Sequence, residues 1–192
     1  PMTTGAIALS DSYITLFRKE YPDAASVLIV LAIDVLVLTI SGLYSSVLFG
    51  VETVDEKAKI SFRELAKSKL FIVFSFPYFH SAITLPTSFY VLTTYASNQP
   101  LQAALSLSII NSSTHFIMFV LLYVMVRKMI KIDIPWISIA KYVLASVGMA
   151  AFLLVIPHPT KISLTVGLTA IGGIIYLTLL MMIDKEARTL AI

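Results

Sequence analysis

The sequence predicts an all-α protein that lies in a membrane as a polytopic helical bundle with about five transmembrane helices. Of its 192 residues, 58% are apolar and 13% are charged, whereas a soluble domain has about 25% charged residues. The mean hydropathy is +0.90. Five stretches of about 20 or more residues are predominantly apolar, the length needed to cross a hydrocarbon core of about 30 Å. These observations exclude a soluble enzyme, a nucleic-acid-binding module and a disordered chain, so we expect no nucleic-acid partner.

Short polar or charged segments separate the apolar stretches and set the boundaries of the predicted helices. The five predicted helices cover residues 24–49, 70–96, 101–126, 137–156 and 162–183. Pro77 and Pro86 each remove a backbone hydrogen bond, so we expect the second helix to bend. Residues 50–69 form a charged linker, in which we expect a loop and an interfacial helix.

Lysine and arginine residues predict the orientation, because cytoplasmic loops of membrane proteins carry an excess of them. Of the 14 lysine and arginine residues, eleven lie in the 50–69 linker, near residues 127–141 or in the C-terminal tail. The other three lie in segments that would face the opposite side of the membrane. We therefore expect a multi-pass protein of the cell membrane with a cytoplasmic C-terminus.

Polar residues inside the first three helices fall on one stripe of each helix. Such residues are expensive in hydrocarbon and tend to face the bundle or a wet cavity. Two interpretations stay open: the stripes hydrogen-bond the helices together, or they line a path for a substrate or ion. The pathway candidates on these stripes are Asp34, Ser41, Ser45, His80, Thr84, Asn111 and His115.

Asp34 is the strongest of these candidates, because it is an acid near the middle of a span. It either contacts a proton, an ion or a headgroup, or it is a buried structural acid. His80 and His115 are the partners that its chemistry favours. We predict no metal site, because the two histidines lack a carboxylate at ligand spacing.

The sequence shows no catalytic motif. It contains no phosphate-binding glycine loop, no His-Glu-x-x-His zinc helix and no Gly-x-Ser-x-Gly turn. Without cysteines it has no thiol chemistry and no disulfides. We expect a protein that is not an enzyme, with no catalytic residues and no cofactor.

Residues 14–32 resemble a passage of polysaccharide and oligosaccharide flippases of the multidrug/oligosaccharidyl-lipid/polysaccharide exporter superfamily. The shared pattern is an apolar end, an aromatic pair, small residues and a long apolar helix. The residues that carry it are Leu16, Phe17, Tyr21, Ala24, Ala25, Leu28 and Leu31. The later features of the chain follow the order found in that family. They are the Leu48-Phe49-Gly50 end of the first helix, the prolines of the second, and the segments 139–146 and 176–180. The charged tail 184–188 is similar to that of archaeal members.

The resemblance implies a fragment from the C-terminal part of a protein with two pseudo-symmetric lobes. Residues 1–23 would be the end of a truncated span with an outer loop, residues 24–126 three helices of the C-terminal lobe, and residues 127–192 two additional C-terminal helices. The N-terminal half of the same protein would then be a partner.

The resemblance also implies a function, the translocation of polyprenyl-linked oligosaccharide by alternating access, with membrane lipid as the other partner. The two additional helices would form a groove for the lipid tail, with Gly148, Gly167 and Gly172 leaving room for it. Lys141 is the basic candidate for the substrate at a span edge. The alternatives are a drug or small-solute exporter of the same superfamily, and a non-transporting membrane subunit or membrane-embedded transferase.

Overall fold

The computed structural model describes residues 1–17, 24–51, 69–96, 99–129, 134–157, 159, 161–184 and 188. Of these residues, 92% are helical and none lies in a strand, which confirms the all-α fold class. The helices are α1 Met2–Ala8, α2 Ser10–Phe17, α3 Ala25–Val51, α4 Lys69–Thr94, α5 Pro100–Met129, α6 Trp136–Val155 and α7 Ile162–Ile183. Most of the charged linker lies outside the described residues, as do Asn98, which follows α4 in the sequence, and residues 130–133, which follow α5.

Within the described residues, four helices are long and apolar enough to cross a membrane: α3, α5, α6 and α7. The chain is therefore a multi-pass membrane protein. The remaining long helix, α4, has 26 residues and contains Pro77 and Pro86, and we treat it as the fifth span. Many large apolar side chains on these helices are exposed, as lipid contact requires.

The helix ends follow from local chemistry. Pro100 begins α5, where its missing N–H is not needed. Arg127 and Lys128 occupy the last turn of α5, so this helix runs three residues beyond its predicted end. Basic side chains suit the C-terminal end of a helix and can reach from apolar surface to water. Ile156, after α6, is extended because the next residue is Pro157.

The chain splits into two compact units. The first consists of Pro1–Ala32 and Asp133–Ile192, and the second of Ile33–Ile132.

In the first unit, α6 packs against α7, and α1 and α2 pack on this pair. Its buried core consists of Ala8 and Leu9 from the N-terminal segment with Met149 and Leu153 from α6. The hydroxyl groups of Tyr13 and Thr169 are 2.8 Å apart and join α2 to α7. Trp136, the first residue of α6, is 70% exposed.

In the second unit, α3, α4 and α5 surround a core of Leu48, Val73, Leu122 and Val126. Tyr44 of α3 meets two rings of α5 edge-on, with centroid distances of 6.0 Å to Phe119 and 5.7 Å to Tyr123. These contacts fix how α3 faces α5, and they place the polar residues of the two helices opposite each other.

Candidate functional site

A buried carboxylate joins α3 to α5 in the second unit. Asp34 of α3 is only 4% exposed. The side-chain amide of Asn111 donates a hydrogen bond of 3.0 Å to its Oδ2 atom. Nδ1 of His115 lies 2.8 Å from Oδ1. Because Asn111 and His115 are four residues apart, one face of α5 brings both side chains to the same acid.

The charge of Asp34 decides which nitrogen of His115 carries the hydrogen. An ionised carboxylate can only accept hydrogen bonds, so Nδ1 of His115 carries the hydrogen when Asp34 is charged. Nε2 is then the basic nitrogen of the neutral ring. The amide of Asn111, 3.3 Å from Nδ1, packs at the edge of the same ring and helps to hold it.

His80 of α4 stacks on His115, with ring centroids 4.4 Å apart and an angle of 15° between the planes. Two unit charges about 4 Å apart repel by about 4 kcal/mol at an effective dielectric constant of about 20. The stack therefore opposes simultaneous protonation of both rings. Nε2 of His80 is buried and has no hydrogen-bond partner among the described residues.

A cavity of about 320 Å³ lies beside this cluster, between α3, α4 and α5. Its volume is at the lower end of the range of small-molecule sites, about 300–1,000 Å³. Its wall is mostly apolar, and both histidines form part of it. The lining residues are Leu38, Ser41, Ser45, Phe76, Pro77, His80, Ser81, His115, Met118, Phe119 and Leu122.

Two hydroxyl groups of the predicted stripes, those of Ser41 and Thr84, bond within their own helices, and Ser45 lines the cavity. Ser41 donates to the carbonyl of Val37, and Thr84 donates to the carbonyl of His80, each at 2.8 Å. Such bonds to the residue four positions earlier are common for serine and threonine in membrane helices. The hydrogen bonds between α3 and α5 are carried instead by Asp34, Asn111 and His115.

Lys141 belongs to the first unit. Its Nζ atom lies 3.1 Å from Oδ1 of Asp184, whose side chain is 2% exposed. Asp184 directly follows α7, so the ion pair joins the first third of α6 to the end of α7.

The three glycines of the predicted tail groove differ in their surroundings. A Cβ atom on Gly148 would lie 3.0 Å from Leu179, and one on Gly172 would lie 3.1 Å from Leu153. One on Gly167 would have nothing within 4 Å. The first two glycines therefore allow α6 and α7 to pack closely, and the tail groove stays a prediction.

Several residues of the site escaped sequence reasoning. The apolar cavity wall, including Phe76 and Phe119, has no signal in a chain where most span residues are apolar. Asp184 was identified only as part of a charged tail. Only a few residues join α6 to α7, so the end of α7 lies beside the start of α6. This is the signal that could have paired Asp184 with Lys141.

Comparison with protein-family models, with curated proteins and with solved structures finds no match for this chain.

Proposed function

We propose that this chain is part of a translocase that moves polyprenyl-linked oligosaccharide across the cell membrane by alternating access. The observation that carries the proposal is the buried Asp34–His115 pair beside a cavity inside membrane helices. An ionisable pair inside membrane-spanning helices is costly, and such residues typically mark the path of a substrate or ion. A purely structural contact between α3 and α5 could use neutral side chains at lower cost.

In this proposal the sugar headgroup crosses through a hydrated passage while the lipid tail stays in the bilayer. Alternating access requires a second set of helices that moves against the first. The resemblance of residues 14–32 to flippases supplies such a partner, the N-terminal lobe of the same protein. The excess of basic residues predicts that the C-terminus lies in the cytoplasm.

A second candidate function is the export of lipophilic small molecules by the same fold. The cavity favours it, because Phe76, Met118 and Phe119 give it an aromatic and flexible apolar wall. Rings and thioethers adapt well to varied apolar ligands. The two candidates differ in which molecule accumulates when transport stops.

Deletion of the chromosomal gene tests the proposal. We expect lipid-linked oligosaccharide to accumulate on the cytoplasmic leaflet, where an added glycosidase cannot reach it in intact cells. A wild-type copy should restore the normal distribution, and a copy with Asp34→Asn should not.

The control for this test is Asp11→Asn, since Asp11 is an exposed acid of α2 in the other unit. It should restore transport fully. An unchanged distribution of lipid-linked sugar, together with a new sensitivity to lipophilic drugs, would reject the flippase and favour the exporter.

A further inference from the structure

The charge balance of the Asp34 cluster changes with each proton that it binds. With Asp34 ionised and both histidines neutral, the cluster carries one negative charge inside the membrane-spanning part of the protein. One bound proton makes it neutral. A second proton would place two cations in the same ring stack. Because uncompensated charge is costly away from water, the state with one proton is the most favourable.

The geometry also distinguishes the two histidines. His115 touches the carboxylate directly at 2.8 Å, so an added proton on its Nε2 atom completes an ion pair. His80 stacks on the face of the His115 ring, and its buried Nε2 atom has no hydrogen-bond partner among the described residues. A proton on that atom would create a buried donor without an acceptor.

The titratable groups that face His115 in the described part of this unit are Asp34 from α3 and His80 from α4. Its neighbours one turn away on α5, Asn111 and Phe119, do not titrate. His115 and His80 both form part of the cavity wall.

We propose that His115 is the proton-binding residue of this protein, that Asp34 is its positioning anion, and that the stacked pair of His80 and His115 holds one proton and not two. The lone pair of His115 Nε2 takes the proton from water, and the same nitrogen returns it to water. The use of this proton to drive transport rests on the proposed function, whereas the proton site itself does not.

The experiment is a titration of the 192-residue chain in lipid nanodiscs. The chain has three histidines, so a His158→Gln background leaves the pair as the source of the histidine ¹⁵N signals. Between about pH 5 and about pH 8, the range in which histidines titrate, we expect one imidazolium per chain, assigned to His115. Two imidazolium rings per chain, or none, would overturn the proposal.

Three variants assign the roles. His80→Gln should still take up one proton, and His115→Gln should take up none in this range. Asp34→Asn should lower the protonated fraction of His115 at about pH 6, because it removes the anion that pairs with the protonated ring. Asp11→Asn is the matched control and should change nothing. Full uptake by His80 in His115→Gln would contradict the assignment.

The proton count is made on a chain in which Asp34, His80 and His115 are all intact. It therefore tests the one-proton site even if Asp34→Asn fails to fold. It also separates this inference from the proposed function. One proton on His115 in a protein whose deletion leaves lipid-linked sugar undisturbed would keep the proton site and remove the flippase. Two bound protons, in a protein whose deletion does trap that lipid, would remove the one-proton site and keep the flippase.

Discussion

At Asp34, a single carboxylate is held by two side chains from one face of α5. The amide of Asn111 and the ring of His115 both contact it, so each of the three residues limits the orientation of the other two. A network in which every member has a partner specifies one arrangement of the helices, and a partly broken one is costly.

Replacement of Asp34 should show this cost. Asp34→Leu leaves the amide of Asn111 and Nδ1 of His115 without their acceptor, so we expect a loss of about 1–3 kcal/mol in unfolding free energy. Asp34→Asn, which retains an acceptor oxygen, should lose less. Unfolding in mixed micelles measures both, with Asp11→Leu as an exposed control expected to change stability by less than about 0.5 kcal/mol. Equal stability of Asp34→Leu and the wild type would show that the network contributes nothing.

The sequence could identify these residues and the histidines as favoured partners of Asp34, but not which side chain touches the carboxylate. Asp34, His80, Asn111 and His115 stand out because charged and amide groups are rare inside spans. Which of them meet depends on how each helix is rotated about its axis and shifted along its neighbour. The polar stripes indicate which face of each helix turns inward, but they do not fix how far one helix is shifted along its neighbour, which decides the pairs that touch.

At the scale of the element, helix lengths are predictable because the thickness of the hydrocarbon core sets them. The five long helices lie where the apolar stretches predict them, with ends that differ by a few residues. The close approach of α6 and α7 depends on which residues face each other. Sequence offers several small residues on these helices, and the structure selects Gly148 and Gly172.

Gly148→Leu should therefore destabilise the protein by about 1–3 kcal/mol, because the new side chain displaces Leu179 from a packed contact. Gly167→Leu is the matched control and should cost clearly less, since a Cβ there meets nothing within 4 Å. Thermal unfolding in detergent measures both. A tail groove at Gly148 would add a loss of polyprenyl phosphate binding larger than the loss of stability, whereas parallel losses would indicate packing alone.

The ion pair between Lys141 and Asp184 gives a separate prediction. Lys141→Met removes a partner of the buried Asp184 carboxylate, and we expect a loss of about 1–3 kcal/mol in unfolding free energy. Lys161→Met, at an exposed lysine just before α7, should change stability by less than about 0.5 kcal/mol. If both variants lose the same amount, the contact with Asp184 does not stabilise the α6–α7 pair.

At the scale of the whole molecule, charge distribution predicts the topology. The native chain has no cysteine, so single introduced cysteines report sidedness without background. Ser61→Cys and Lys131→Cys should react with an impermeant maleimide only from the cytoplasmic side, and Asn98→Cys only from the outside, because basic loops stay in the cytoplasm. Labelling of positions 61 and 98 from the same side would reject this arrangement of spans.

The position of Trp136 has a spectroscopic consequence. It is the single tryptophan of the chain, it begins α6, and it is 70% exposed, so it is suited to the boundary between lipid and water. Its emission will report the polarity and the quencher access of one end of the first unit. Asp34 and its cavity belong to the second unit, which has no tryptophan of its own. Phe119→Trp in a Trp136→Phe background would place the only tryptophan in the cavity wall, so that its emission reports the polarity of the cavity.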